Sequence, residues 1–143
     1  IDNVAIMNKS WNLKNKILTV EKTIESLWYF NKHPQLYKIQ SGETVYFKDS
    51  GEPVSLKAEV SNVLQFSNLT PKKIQEILNH YGGAEGIAIE NIPKFFQKFK
   101  HKKYCILIFL KNSERIKPFS IDKSGFGMMS AWLTVENINN IRK

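Results

Sequence analysis

The chain has 143 residues, 42% of them hydrophobic and 12% aromatic, enough for one sizeable core and too few for two, so a single domain spanning residues 1–143 is expected. Its longest apolar run, Tyr104 to Leu110, falls far short of the roughly 20 residues a membrane helix needs, and the lone Cys105 excludes an internal disulfide. A soluble, cytoplasmic protein with no membrane partner is the expectation, and a net charge of +8 favours phosphate-rich partners, although lysines placed only for solubility give the same sum.

Ser10 stands as an N-cap before Trp11, Leu13, Ile17 and Leu18, apolar positions at helical spacing. Strand formers from Ile24 to Tyr29 follow, then a break at Asn31 to Pro34, a turn at Ser41 and Gly42, and a strand from Glu43 to Lys48. Asp49 to Pro53 reads as a hairpin tip. Val54 to Phe66 is the returning strand, alternating through Val54, Leu56, Ala58 and Val60 and continuing past a bulge to Leu64 and Phe66. Thr70 as N-cap and Pro71 at the first helical position open a helix with the stripe Ile74, Ile77, Leu78 and Tyr81, closed by Gly82 and Gly83. Ile92 and Pro93 open a second amphipathic segment whose Phe95, Phe96 and Phe99 read as core. Tyr104 to Leu110 is a central strand, Lys111 to Ser113 a turn, Pro118 to Gly127 a loop, Met128 to Val135 a closing strand and Glu136 to Lys143 a short helix. The order α-β-β-β-α-α-β-β-α predicts an α+β fold, a small, partly open barrel of mostly antiparallel strands flanked by helices.

The segment Val20-Glu21-Lys22-Thr23-Ile24-Glu25-Ser26-Leu27, with the turn and strand of Ser41 to Phe47 after it, resembles the ASCH domain, a small β-barrel of the PUA-like superfamily. The resemblance extends over roughly residues 10 to 135. The family signature runs Gly-x-Lys-x-x-Glu-x-Arg; Lys22 and Glu25 match it, whereas Val20 and Leu27 replace the glycine and the arginine. Leu27 cannot supply the planar fork of donors that a guanidinium offers an anion.

No Cys-x-x-Cys, His-Glu-x-x-His, Gly-x-Ser-x-Gly or phosphate-loop pattern occurs, and His33, His80 and His101 lack ligand spacing, so no metal and no cofactor are implied. Three residues apart on a strand, Lys22 and Glu25 would face opposite ways, and they converge only if Lys22 lies in the preceding turn. An aromatic set, Trp28, Tyr29, Phe126 between two glycines, and Trp132, offers faces for a base, with Lys22, Lys48 or Lys123 beside a phosphate; Trp132 reads more simply as barrel core. The run Lys94, Lys98, Lys100, His101, Lys102 and Lys103, with Lys72 and Lys73, reads equally as a phosphate-tracking stripe or as ordinary cations at a helix end.

Together these features predict a domain that binds RNA or a nucleotide-like ligand in a cleft formed by Lys22, Glu25, Trp28, Lys48, Lys123, Ser124 and Phe126. The family resemblance also implies an alternative, since some ASCH proteins are amidohydrolases that deacylate modified cytidine nucleosides. Lys22 would then be the activating base, Thr23 the hydroxyl, and Glu25 or Glu85 the acid. A protein-interaction module of a larger assembly is the third possibility.

Overall fold

A computed structural model describes residues 1–33, 36–126 and 131–143, with side chains other than those of Trp11 and Leu36. Six strands form one mixed sheet bent into a half-barrel: β1 (Asp2–Met7), β2 (Ile24–Tyr29), β3 (Thr44–Asp49), β4 (Val54–Phe66), β5 (Tyr104–Phe119) and β6 (Trp132–Val135), in the spatial order β2-β5-β4-β3-β1-β6. Only the β1–β3 pair is parallel among the described strands. Three α-helices accompany the sheet, α1 (Leu13–Leu18), α2 (Pro71–Tyr81) and α3 (Ile92–Phe99). None is long and apolar enough to cross a membrane.

The uninterrupted apolar run at the start of β5 is explained by burial on both faces, as in central strands covered on two sides. Ile106, Ile108 and Leu110 join Phe47, Leu56, Val60 and Ile17 of α1 in one core cluster. Cys105 and Leu107, pointing the other way, pack with Ile74, Ile77 and Leu78 of α2 and the phenylalanines of α3. A third cluster, built from Val4, Val54, Phe119, Ile121, Leu133 and Ile138, lies toward the β1 and β6 edge and takes in Tyr46 and Phe126.

The predicted strands at Ile24–Tyr29 and Val54–Phe66 are present, as is α2 with Thr70 accepting from the Lys73 N–H at 3.2 Å and Pro71 at its start. Three expectations are corrected, and one strand is added. Asp2–Met7 is a strand, because it has a parallel partner in β3 and therefore no hairpin turn to announce it. Asn8, not Ser10, caps the first turn, its carboxamide accepting from the Ser10 N–H at 3.0 Å, and Asn12 in a left-handed conformation separates that 3-10 turn from α1. Lys111 to Ser113 is not a turn: β5 runs through it with a bulge, since Lys57 pairs with Glu114 and Glu59 with Lys111, and Asn112 takes φ 54° there. The C-terminal segment forms only a 3-10 turn, Ile138–Asn140. The start of the closing strand at Met128, the glycine after Phe126 and the break at Pro34 lie outside the described residues.

Candidate functional site

The chain leaves α1 through Thr19, whose hydroxyl caps the helix by donating to the Asn15 carbonyl at 3.0 Å, and Val20, which takes φ 64°. That left-handed conformation suits a glycine, the residue the ASCH signature has at this position, and a β-branched side chain adopts it only under strain. The reversal leaves Lys22 in the turn, 5% exposed, just before β2 begins. The condition for Lys22 and Glu25 to meet is therefore fulfilled, and Lys22 Nζ lies 3.1 Å from Glu25 Oε1. The same ammonium donates to the carbonyls of Ile24 and Glu85, both at 2.7 Å. The backbone completes the junction: the Thr23 and Ile24 N–H groups both donate to the Ala84 carbonyl, at 2.7 and 3.1 Å.

Glu85 enters this pocket from the turn that follows α2. Its side chain is 3% exposed, and neither carboxylate oxygen has a hydrogen bond of ordinary geometry among the described residues. Burial pushes its pKa up to about 7; the nearby Ser26 hydroxyl and Lys22 pull it back, and the Glu25 charge adds to the rise. Gly86, at φ 85°, brings the backbone against the Lys22 and Lys16 side chains, and Lys16 Nζ donates to its carbonyl at 3.0 Å. Lys22, Glu25 and Glu85 are thus together. Thr23 is tied in through its backbone, and its hydroxyl has no hydrogen bond to any of the three. Leu27, in the signature's arginine position, packs against the α1-side core.

Trp28 does not offer a face to a ligand. It is 8% exposed and stacked on Phe99 with centroids 4.8 Å apart and rings inclined by 8°, while its indole N–H donates to Ser26 at 3.0 Å. Nor do the predicted cleft residues gather at one place. Lys22, Glu25 and Trp28 belong to the β2 edge of the sheet, whereas Phe126 packs with the cluster at the opposite edge. Lys48 on β3 goes with the second group, because Lys123 is the charged neighbour that acts on it. The Ser124 hydroxyl is engaged by Asp122 at 2.6 Å, so it is not a free donor for a ligand.

The basic run divides as well. Lys94 and Lys98 lie on the exposed side of α3, and Lys100 donates to Gln97 at 2.8 Å. Lys102 and Lys103 stand where β5 begins, next to the end of β2, with the Lys103 N–H donating to the Tyr29 carbonyl at 2.9 Å and the Leu69 N–H to the Lys103 carbonyl at 3.0 Å. Tyr29 and three aromatic residues outside the predicted set, Phe30, Tyr37 and Phe66, surround this end of the sheet. Phe30 is 57% exposed and carries the Lys102 ammonium 4.0 Å above its ring. Lys32 lies over Tyr37 at 5.3 Å and Lys73 over Phe66 at 5.6 Å, and His33 packs on Tyr29, whose pKa burial raises to about 12. An open groove of about 540 Å³ runs on from Phe66 and Lys73 along α2 to His80 and Tyr81. The signal in the sequence was Phe30 and Lys32 directly after a strand of apolar residues.

No family model matches the sequence, and no curated protein matches it. Solved structures do. The ASCH protein of Zymomonas mobilis superposes with a TM-score of 0.66 at 11% identity, over 94% of this chain and 87% of that one. The chain has the ASCH-domain fold. Two variants of the same Zymomonas mobilis ASCH protein superpose at 0.68 and 0.67. The N-terminal domain of McrB from Staphylothermus marinus matches at 0.50 with 13% identity, over 83% of this chain and 76% of that domain. At these identities the likeness establishes architecture, and the ASCH chemistry has to be argued from the residues present.

Proposed function

We propose that the protein binds nucleic acid, single-stranded RNA before other forms, across the end of the sheet where β2 stops and β5 starts. The observation that carries this reading is Phe30, an exposed ring beneath the Lys102 ammonium, in a neighbourhood of further lysine and aromatic pairs. Single strands are held by aromatic faces for bases and cations for the backbone, and neither element needs a particular sequence. The test is a titration of labelled single-stranded RNA and of duplex DNA at two salt concentrations, followed by anisotropy. Salt-sensitive binding of the single strand is expected, with Lys102→Ala reducing the salt slope by about one and Phe30→Ala weakening binding by about 1–3 kcal/mol. Binding indifferent to salt and to both substitutions would sink the reading.

A second reading, hydrolysis of an acylated or otherwise modified nucleoside, is favoured by Glu85 alone. A buried carboxyl that titrates near 7 is matched to proton transfer at neutral pH. Against it stands Lys22, whose ammonium already faces three oxygens where a base would need to be available. Incubation with N-acylated cytidine, analysed chromatographically, decides it: turnover abolished by Glu85→Gln would favour the hydrolase.

A further inference from the structure

A second open groove, of about 360 Å³, lies between the sheet, at Tyr46 of β3, Lys57 of β4 and Lys117 of β5, and the terminal segment at Ile138 and Arg142. Tyr46 and Lys57 are direct cross-strand partners, so their side chains leave the same face of the sheet. The apolar floor belongs to the third core cluster, through Ile116, Phe119 and Ile138. The Arg142 guanidinium is held over the Phe119 ring, 4.4 Å from its centroid. Backbone bonds pin the segment that carries it: the Asp122 N–H donates to the Ile141 carbonyl at 2.7 Å, and the Lys143 N–H to the Ser120 carbonyl at 2.8 Å. Stacking uses the flat side of the guanidinium and leaves its in-plane donors open. Among the described residues neither Arg142 nor Lys117 has a hydrogen bond or an ion pair, and the Tyr46 hydroxyl has no hydrogen bond. Lys57 lies 3.4 Å from Glu114 in an exposed pair that costs little to open. Burial raises the Tyr46 pKa, Asp2 adds to the rise, and Lys57 and Arg142 oppose it, so all three charges are felt at the phenol. Asp2, the carboxylate of the lining, accepts from the Ile138 N–H at 2.7 Å. Three cations against one carboxylate leave an excess of positive charge that suits a dianion.

We infer that this groove binds a phosphate monoester on a small hydroxylated carbon skeleton, with Arg142, Lys117 and the Tyr46 hydroxyl on the phosphate and Asp2 and Asn139 taking the hydroxyls. A guanidinium fork with a phenol donor matches phosphoryl oxygens, and the acceptors at the rim match a polyol. The volume stands at the small end of the range for ligand sites, which favours one sugar phosphate over a strand. No residue is shared with the nucleic-acid face at Phe30 and Lys102.

The test is a calorimetric titration of the intact protein with ribose 5-phosphate, ribose and inorganic phosphate, with the Arg142 Nε–H signal followed by NMR. Saturable binding of the ester with displacement of that signal is expected, roughly tenfold tighter than inorganic phosphate, with no binding of ribose. Arg142→Lys keeps the charge but loses the fork, and Tyr46→Phe removes only the hydroxyl; each should weaken binding by about tenfold while Tm stays that of the parent. Lys102→Ala should leave the affinity unchanged. Absence of saturable binding would overturn the inference, as would binding untouched by Arg142→Lys and Tyr46→Phe or lost in Lys102→Ala. Equal affinity for inorganic phosphate and the ester would overturn the hydroxyl contacts, and a 5′-phosphorylated oligonucleotide bound more tightly through Arg142 would overturn the small-molecule assignment. Failure of the nucleic-acid reading would leave this result standing, since Phe30 and Lys102 play no part in it.

Discussion

Lys22 and Lys48 are both removed from water, one 5% and the other 9% exposed, and the fold treats them in opposite ways. Lys22 is surrounded by two carbonyls and a carboxylate, and it joins the start of β2 to the turn after α2. Lys48 has a like charge for a neighbour and no acceptor among the described residues. The lysine that a sequence motif singles out thus holds two segments together, while the one outside any motif has no such set of oxygens among the described residues. Burial alone does not give a lysine's part in the fold; the oxygens around it do.

Replacing both lysines by methionine sharpens this contrast most. Lys22→Met strands the Ile24 and Glu85 carbonyls and leaves Glu25 without its cation, so a loss of about 3–5 kcal/mol is expected in urea unfolding. Lys48→Met should cost nothing or stabilise. Equal losses in the two variants would erase the distinction.

Glu85 gives the next largest effect, through pH. Its folded-state pKa of about 7 stands above the ordinary 4.5, so between those values the folded protein keeps a proton that the unfolded chain has released. The stability from this group is complete below pH 4.5, falls as pH rises and is gone above about 7, a change on the order of 3 kcal/mol. Glu85→Gln should flatten that part of the stability profile and be the more stable form at pH 8. A slope unchanged by the substitution would place the titrating group elsewhere.

The parts of the fold that the sequence made legible are those whose signal is local. Alternation marked β4, a Thr-Pro start and a regular apolar stripe marked α2, and strand formers marked β2 to the residue. The parts missed depend on distant partners. β1 becomes a strand only because β3 and β6 lie on either side of it, and Asn112 looks like a turn residue because a bulge uses the same left-handed backbone. The Lys22 pocket was half legible: Lys22 and Glu25 follow from the motif, and Glu85 could only be suspected, since 60 residues separate it from Glu25 and nothing in its Gly-rich turn announces burial. Trp28 misled for the converse reason. A tryptophan beside a charged motif suggests a ligand platform, yet Phe99 of α3 already covers it.

Val20 supplies the smallest test, and it addresses how the Lys22 pocket survives without the signature's glycine. Its φ of 64° and 67% exposure mean that the side chain gains little from packing while its Cβ strains the turn that delivers Lys22 to Glu85. Val20→Gly removes that strain at the expense of a more flexible unfolded chain, and the balance should favour the variant by about 1 kcal/mol in urea unfolding. If the turn is needed only to aim Lys22, the gain should vanish when Val20→Gly is made on top of Lys22→Met, because the junction it supports is already open. A gain that persists in the double variant would assign the strain to the end of α1 alone, and would uncouple the motif's glycine position from its lysine.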